Sequence, residues 1–288
     1  MGVMIRTLKD IRSSLSGELQ GIYPEPEINA LARIIIKTLP QAERLHQIYD
    51  QGQTVDPANI RLVREIIKEL KEGRPIQYII GSTDFYNCII KVTEATLIPR
   101  KETEELVDLV ISENRGYTGD ILDIGTGSGC IAIVLAKNIP GSSVTGIDIS
   151  HDAIAVAWEN AGLNNVKLEL RREDIFNPDK LLTTKPGIIV SNPPYVRYSE
   201  KALMNRNVLE FEPPAALFVN DSEPLVYYNS ILETAGKILQ PGGKVYFEIN
   251  EAMGKEMINL LEAFRYSEIT LVKDINDKDR IISGKLNG

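Results

Sequence analysis

The stretch Ile121-Leu122-Asp123-Ile124-Gly125-Thr126-Gly127-Ser128-Gly129-Cys130 decides the fold. A short apolar strand runs into a Gly-x-Gly-x-Gly turn, and a helix begins at Cys130. Glycines take φ > 0 and let the backbone pass close to a ligand. The helix N-terminus behind them offers free N–H groups to something polar or anionic. The spacing is not the Gly-x-Gly-x-x-Gly of dinucleotide sites. Taken alone the glycines could form a plain tight turn. Strand, turn and helix in this order are what nucleotide-binding α/β sheets use.

Outward from this turn, strands and helices alternate. The pattern predicts strands over 120–124, 143–147, 166–170, 187–191, 244–249, 268–273 and 280–283. Helices fit 102–113, 130–137, 152–161, 224–239 and 253–264. Such alternation implies an α/β fold with a doubly wound, mostly parallel, seven-stranded sheet. The last two strands have no helix between them, so they should pair antiparallel at one edge.

Upstream the periodicity is helical. Leu8, Ile11 and Leu15 recur at helix spacing, as do Ile28, Leu31, Ile35 and Leu39, with Pro40 as a stop. Asp56-Pro57 is a cap followed by a first-turn proline. Ile60, Val63, Ile67 and Leu70 then form an apolar stripe closed by Gly73. Arg61, Arg64, Lys68 and Lys71 beside it make a solvated face or a docking face for a charged partner. Residues 77–80 and 88–92 are β-like, with a turn expected over 81–84. Three parts follow: a helical domain over 1–73, a β-hairpin linker over 74–97 and an α/β domain over 98–288.

Composition excludes several classes. The chain has 288 residues, 43% hydrophobic and 25% charged, as an ordinary globular enzyme has. Two cysteines, Cys88 and Cys130, and two histidines, His46 and His151, provide neither a disulfide framework nor a multi-histidine metal centre, so no metal is expected. Apolar runs such as Ile34-Ile35-Ile36 and Ile188-Ile189-Val190 fall far short of the roughly 20 residues a membrane helix needs. The opening Met1-Gly2-Val3-Met4-Ile5-Arg6 lacks a myristoylation signal, and no secretory segment follows. A reducing, cytoplasmic setting is expected. Net charge is −8, which argues against a broad nucleic-acid footprint. The charge is uneven: residues 1–74 carry 11 Lys and Arg against 10 Asp and Glu, and the remainder 21 against 30.

Three further motifs carry chemistry. Asp148, in Thr145-Gly146-Ile147-Asp148, ends the second expected sheet strand. A carboxylate there can accept both hydroxyls of a ribose; it could also cap the following helix. Arg172-Glu173-Asp174-Ile175-Phe176 follows the third strand. Asp174 can accept from an adenine amino group and Phe176 can stack on the ring, although the segment equally reads as a solvated loop anchored by one Phe. The sharpest motif is Ser191-Asn192-Pro193-Pro194-Tyr195, at the end of the fourth strand. Two prolines remove two N–H donors and fix φ, leaving a stiff loop of carbonyl oxygens and one Asn amide. Tyr195 adds a flat face. Two acceptors and a ring suit a planar NH₂ group, although Asn-Pro is also a turn signal.

Together, Asp-x-Gly-x-Gly-x-Gly, Asp148 and Asn-Pro-Pro-Tyr resemble a class I methyltransferase using S-adenosylmethionine. Asn-Pro-Pro-Tyr is the pattern of enzymes that methylate amide or nucleobase amino nitrogens. The whole chain resembles the HemK/PrmC family, the glutamine methyltransferases of peptide-chain release factors. Supporting stretches are Gly73-Arg74-Pro75-Ile76-Gln77-Tyr78-Ile79-Ile80-Gly81, Phe85-Tyr86, Ile98-Pro99-Arg100-Lys101-Glu102-Thr103-Glu104, Glu212-Pro213, Pro241-Gly242-Gly243, Phe247-Glu248-Ile249 and Asp279-Arg280. Lys101 stands where the family often has proline, and Pro214 and Asn250 also depart from its commoner residues.

The resemblance implies methylation of the side-chain amide nitrogen of the glutamine in a release-factor Gly-Gly-Gln motif, with S-adenosylhomocysteine as product. The residue readings and the resemblance together assign cofactor binding to Gly125, Thr126, Gly127, Ser128, Gly129, Asp148, Asp174, Phe176 and Asn192. Substrate binding falls to Asn192, Pro193, Pro194 and Tyr195, of which Asn192, Pro193 and Tyr195 are catalytic. The partners implied are release factors, gripped by the N-terminal helical domain, and not a membrane or a nucleic acid. A DNA or RNA amino-nitrogen methyltransferase is the rival enzyme, since the same tetrapeptide suits those nitrogens. A cofactor-binding adaptor that activates another enzyme is a third reading, against which the intact Asn192–Tyr195 motif counts.

Overall fold

The computed structural model describes residues 5–39, 54–178 and 185–288. Met1 to Met4, the stop expected at Pro40 and His46 lie outside the described residues. Backbone packing divides the chain into two compact units. One comprises Met1–Gly81 with Arg206–Phe211, and the other Ser82–Asn205 with Glu212–Gly288.

The first unit is helical. Helix α1 (Leu8–Leu19) starts at a capping box in which the Asp10 N–H donates to Thr7 Oγ1 and the Thr7 N–H donates to Asp10 Oδ2. Helix α2 (Glu25–Thr38) follows Pro24, and α3 (Pro57–Lys71) is capped by Asp56, which accepts from the Ala58 N–H at 2.7 Å. Of the stripes expected from periodicity, Ile11, Leu15, Ile28, Leu31, Ile35, Leu39, Val63, Ile67 and Leu70 form one buried cluster that Leu19 joins, with Leu8 and Ile60 partly buried beside it. Residues 77–80 are not a strand. They lie in the short helix α4 (Ile76–Ile80), ended by Gly81 at φ 78°. Pro75 sets the entry, because its carbonyl accepts the N–H groups of Tyr78 and Ile79. Burial of Ile76 and Tyr78 then overrides the β-propensity of the run.

The second unit opens with a hairpin of β1 (Ser82–Phe85) and β2 (Cys88–Lys91). Its turn is Tyr86-Asn87, with φ of 44° and 61°, and not 81–84. Two residues at positive φ match the right-handed twist of paired strands, and Asn tolerates this region. Helix α5 (Lys101–Glu113) leads into the alternating part: β3 (Asp120–Ile124), α6 (Cys130–Asn138), β4 (Ser143–Asp148), α7 (His151–Leu163), β5 (Glu169–Arg172) and β6 (Ile188–Ser191). After β6 come β7 (Val196–Arg197), α8 (Arg206–Phe211), β8 (Phe218–Val219), α9 (Val226–Ile238), β9 (Lys244–Glu248), α10 (Gly254–Ala263), β10 (Tyr266–Lys273) and β11 (Asp279–Leu286).

The seven-stranded sheet has the order β10-β11-β9-β6-β3-β4-β5. The strands from β9 to β5 are parallel; β11 pairs antiparallel with both β9 and β10. This is the fold expected, with the hairpin at one edge. Strand β6 is buried throughout, Ile188 to Ser191, as a central parallel strand covered on both faces must be. Strand β5 starts three residues later than expected. The chain first wraps the end of α7, where Asn165 has φ 55° and the Val166 N–H donates to the Ala161 carbonyl. Pairing of Glu169 with Thr145 then sets the register.

The order of strands positions the site. From β3 the chain builds outward through β4 and β5, then returns to place β6 on the other side of β3. The crevice at the carboxyl ends of β3 and β6 is therefore a topological switch point, where open α/β sheets bind ligands.

Candidate active site

The glycine turn is anchored to β4. The N–H groups of Gly125 and Thr126 both donate to the Ile147 carbonyl, at 2.9 and 2.8 Å. Gly125, Gly127 and Gly129 all have positive φ, 73°, 55° and 80°, which explains glycine at alternate positions. Asn160 on α7, fully buried, holds the turn from behind. Its Nδ2 donates to the carbonyls of Ser128 and Lys91, and its Oδ1 accepts the Lys91 N–H. No local signal marked Asn160, because its partners lie far away in sequence.

Beneath the turn sits Asp123, fully buried. Its Oδ2 accepts the Thr126 hydroxyl at 2.6 Å and the Ala132 N–H at 3.2 Å, while Oδ1 has no partner among the described residues. Burial pushes its pKa up to about 7. Asp148, at the end of β4, accepts from the Gly127 N–H through Oδ2 and from the Ser150 N–H through Oδ1, both at 2.9 Å. Burial raises its pKa against these two bonds. Ser150, not Asp148, caps α7. Each Asp148 oxygen keeps a second lone pair for a ligand hydroxyl.

A cavity of about 360 Å³ opens over this turn, within the size range of small-molecule sites. Gly125, Thr126, Gly127, Ser128, Asp148, Asp174, Phe176, Asn192, Pro193 and Pro194 all line it. Gly129 and Tyr195 do not. Gly129 is the N-cap of α6, and a Cβ there would lie 3.0 Å from the Ala157 Cβ, so its glycine serves helix packing. The Tyr195 ring packs against the sheet core, and its hydroxyl donates to Glu248 Oε1 at 2.8 Å. Burial, then the Glu248 charge, raises its pKa well above the usual tyrosine value.

Asp174 shapes its own turn, accepting the Phe176 N–H and the Asn177 side-chain amide at 2.9 Å each. Phe176 meets Tyr227 on α9, with ring centroids 5.1 Å apart and planes at 53°. Tyr227 also lines the cavity, and nothing in its helical surroundings set it apart in the sequence. Arg100, another lining residue, is paired with the buried Glu212, whose other oxygen accepts the Ile98 N–H.

Asn192 follows β6, whose last residue, Ser191, donates its hydroxyl to the Ile124 carbonyl at 2.6 Å. The Asn192 amide nitrogen donates to Glu248 Oε2 at 2.9 Å and to Thr103 Oγ1 at 3.1 Å. Thr103 in turn donates to Glu248 Oε2 at 2.6 Å. With its nitrogen engaged, the amide has its oxygen left for a ligand. The residues present fit a nucleoside-bearing methyl donor. A Cβ on Gly125 would meet no protein atom within 4 Å, so the space beside the turn is open to a ligand. A carboxylate and an aromatic pair flank that space.

Sheet order, with the glycine turn and Asn192-Pro193-Pro194 in one cavity, defines a class I methyltransferase. Two solved structures share this fold: a methyltransferase from Pyrococcus furiosus (TM-score 0.50, 17% identity, 70% of this chain and 91% of that one) and the T. thermophilus 16S rRNA N2 G1207 methyltransferase in complex with AdoMet and guanosine (TM-score 0.50, 16% identity, 72% and 50%). Residues 10–81 match the PrmC N-terminal domain and residues 102–210 the methyltransferase small domain. The chain is 43% identical over 279 residues to the release factor glutamine methyltransferase of Flavobacterium psychrophilum, covering 96% of this chain and 98% of that protein. It is 42% identical over 273 residues to that of Bacteroides thetaiotaomicron, covering 95% and 98%. The chain belongs to the release factor glutamine methyltransferase family.

Proposed function

We propose that this enzyme transfers a methyl group from S-adenosylmethionine to the side-chain amide nitrogen of the glutamine in the Gly-Gly-Gln motif of peptide-chain release factors. The observation that carries the reading is the fixed Asn192 amide. Its nitrogen is bound inside the protein, so its oxygen is available at the cavity to accept from a substrate NH₂ group. The family relationship supports release factors as the bearers of that group.

An amide nitrogen is a poor nucleophile, because its lone pair is delocalised into the carbonyl. S-adenosylmethionine supplies a methyl group activated by its sulfonium. The protein's task is therefore placement, which can account for much of the rate. Asn192 Oδ1 and the Pro193 carbonyl would hold the two NH₂ hydrogens and stabilise positive charge as it grows on nitrogen. The flanking prolines keep these acceptors stiff. Once methylated, the nitrogen is acidic and loses its proton without a dedicated base. Gly125–Ser128, with Asp148, Asp174 and Phe176, would hold the cofactor. Gly129 and Tyr195 would act from behind the cavity wall.

The N-terminal helical unit would grip the release factor, in the cytoplasm and without direct recognition of nucleic acid. Its near-balanced charge, set against the acidic remainder, supports a separate role. Among the described residues no helix is long and apolar enough to cross a membrane. The test is methyl transfer from radiolabelled S-adenosylmethionine to purified release factor, its Gln→Ala form, DNA and RNA, with Asn192→Ala enzyme as control. Label on unaltered factor alone, lost in both controls, supports the reading. Label on DNA or RNA instead refutes it.

A further inference from the structure

Ser191 pairs with Phe247 in the parallel β6–β9 ladder. The next residues, Asn192 and Glu248 (the last of β9), therefore lie side by side at the carboxyl ends of these strands, 56 positions apart in sequence. Glu248 is 1% exposed and receives three donors: the Thr103 hydroxyl, the Asn192 amide nitrogen and the Tyr195 hydroxyl. Burial raises the Glu248 pKa, but three donors converging on it match a carboxylate, which accepts and cannot donate. Asn192 must therefore turn its nitrogen toward Glu248, and the rigid amide then directs its oxygen away. Were the amide turned over, two acceptors would face each other in a buried site, which is strongly unfavourable.

We propose that Glu248, assisted by Thr103, is a positioning residue that locks the Asn192 amide in one orientation and so restricts the site to substrate groups that donate hydrogen bonds, a primary carboxamide and not a carboxylate. The proposal rests on the glutamine reading for its substrate and on the hydrogen-bond network for the lock. It explains how an asparagine, which could present either end, can tell glutamine from glutamate. With the lock in place a glutamate carboxylate meets Oδ1, acceptor against acceptor.

Three enzymes test it: Glu248→Gln, Thr103→Val and Thr103→Ser. A glutamine at 248 can donate to Asn192 Oδ1 and releases the amide. We expect kcat for release-factor methylation to fall about 10-fold or more in Glu248→Gln, short of the roughly 10²- to 10³-fold loss on removing the charge-stabilising contact itself. KM for the factor should rise much less than kcat falls, because the Asn192 contact is one of many to the factor and counts most in the transition state. Thr103→Val should lower kcat, and Thr103→Ser should restore it. Because Glu248 acts chiefly through Asn192, adding Glu248→Gln to Asn192→Ala should cost far less than it does alone.

A second readout needs no methyl acceptor. The Asn192 side-chain NH₂ protons, assigned by NMR from their loss in Asn192→Ala, should exchange slowly with solvent in the parent and fast in Glu248→Gln. Parent-like kcat in Glu248→Gln, losses that multiply in the double variant, or unchanged exchange would each overturn the proposal. Should Glu248→Gln fail to fold, the Thr103 pair decides by the same criteria. A parent enzyme that leaves the release factor unlabelled refutes the glutamine reading, while the exchange experiment still decides the lock.

Discussion

Replacing Asp123 with asparagine should stabilise the sheet-bearing unit more near pH 8 than near pH 5. Asp123 is fully buried, one of its oxygens has no partner among the described residues, and burial raises its pKa from 3.8 to about 7. Between these two values the native state keeps a proton that the unfolded state has released. Stability from this group is therefore greatest at low pH and declines as pH rises through the folded-state value. Each pK unit is about 1.4 kcal/mol, so the shift sets a ceiling of about 4 kcal/mol. Roughly two of those units lie between pH 5 and pH 8, or about 3 kcal/mol. Asparagine has no titration, and its oxygen can still accept from the Thr126 hydroxyl and the Ala132 N–H. The assay is urea unfolding of both proteins at the two pH values, followed by fluorescence of Trp158, the single tryptophan, on α7 of the same unit. A stability difference equal at both pH values, within the roughly 10% extrapolation error, or larger at low pH, would refute the reasoning.

Asn192→Ala should lower kcat by about 10²- to 10³-fold, as removal of one charge-stabilising contact does, measured as methyl transfer to release factor at saturating S-adenosylmethionine. Phe176→Ala should weaken calorimetric affinity for S-adenosylmethionine by about 1–3 kcal/mol if the ring stacks on a base; unchanged affinity in the same titration removes Phe176 from the site. Gly129→Ala forces φ of 80° on a residue with a Cβ and presses that Cβ against Ala157. It should cost about 1–3 kcal/mol and lower the melting temperature, and a parent-like melt would show the turn to be adaptable.

The parts legible in the sequence are those whose causes are local. The glycine turn, the buried run of β6 and the apolar stripes of α1, α2 and α3 each carry their reason within a few residues. The parts that were not legible depend on distant partners. Glu248 and Thr103 meet Asn192 across 56 and 89 positions, and Asn160 meets Lys91 across 69. Phe247-Glu248-Ile249 stood out as a family stretch, yet only the β6–β9 register shows what Glu248 faces. Helix α4 was misread because Ile79 and Ile80 favour strands, while Pro75 and tertiary burial favour a helical turn. Strands β7 and β8 span two residues each, too short for any period to show.

The helical unit is discontinuous: Arg206–Phe211 packs with residues that end at Gly81. The polypeptide therefore passes between the units three times, at Gly81, Asn205 and Phe211. Modularity is limited accordingly. A shortened chain beginning at Ser82 would keep α8 without its packing partners, so its behaviour would not be that of an intact catalytic unit. Exchange of the helical unit between two relatives would need two separate segments to cross over together. Inheritance of the helical unit is thus tied to inheritance of the stretch between Asn-Pro-Pro-Tyr and Glu212, and the two should be transplanted as one.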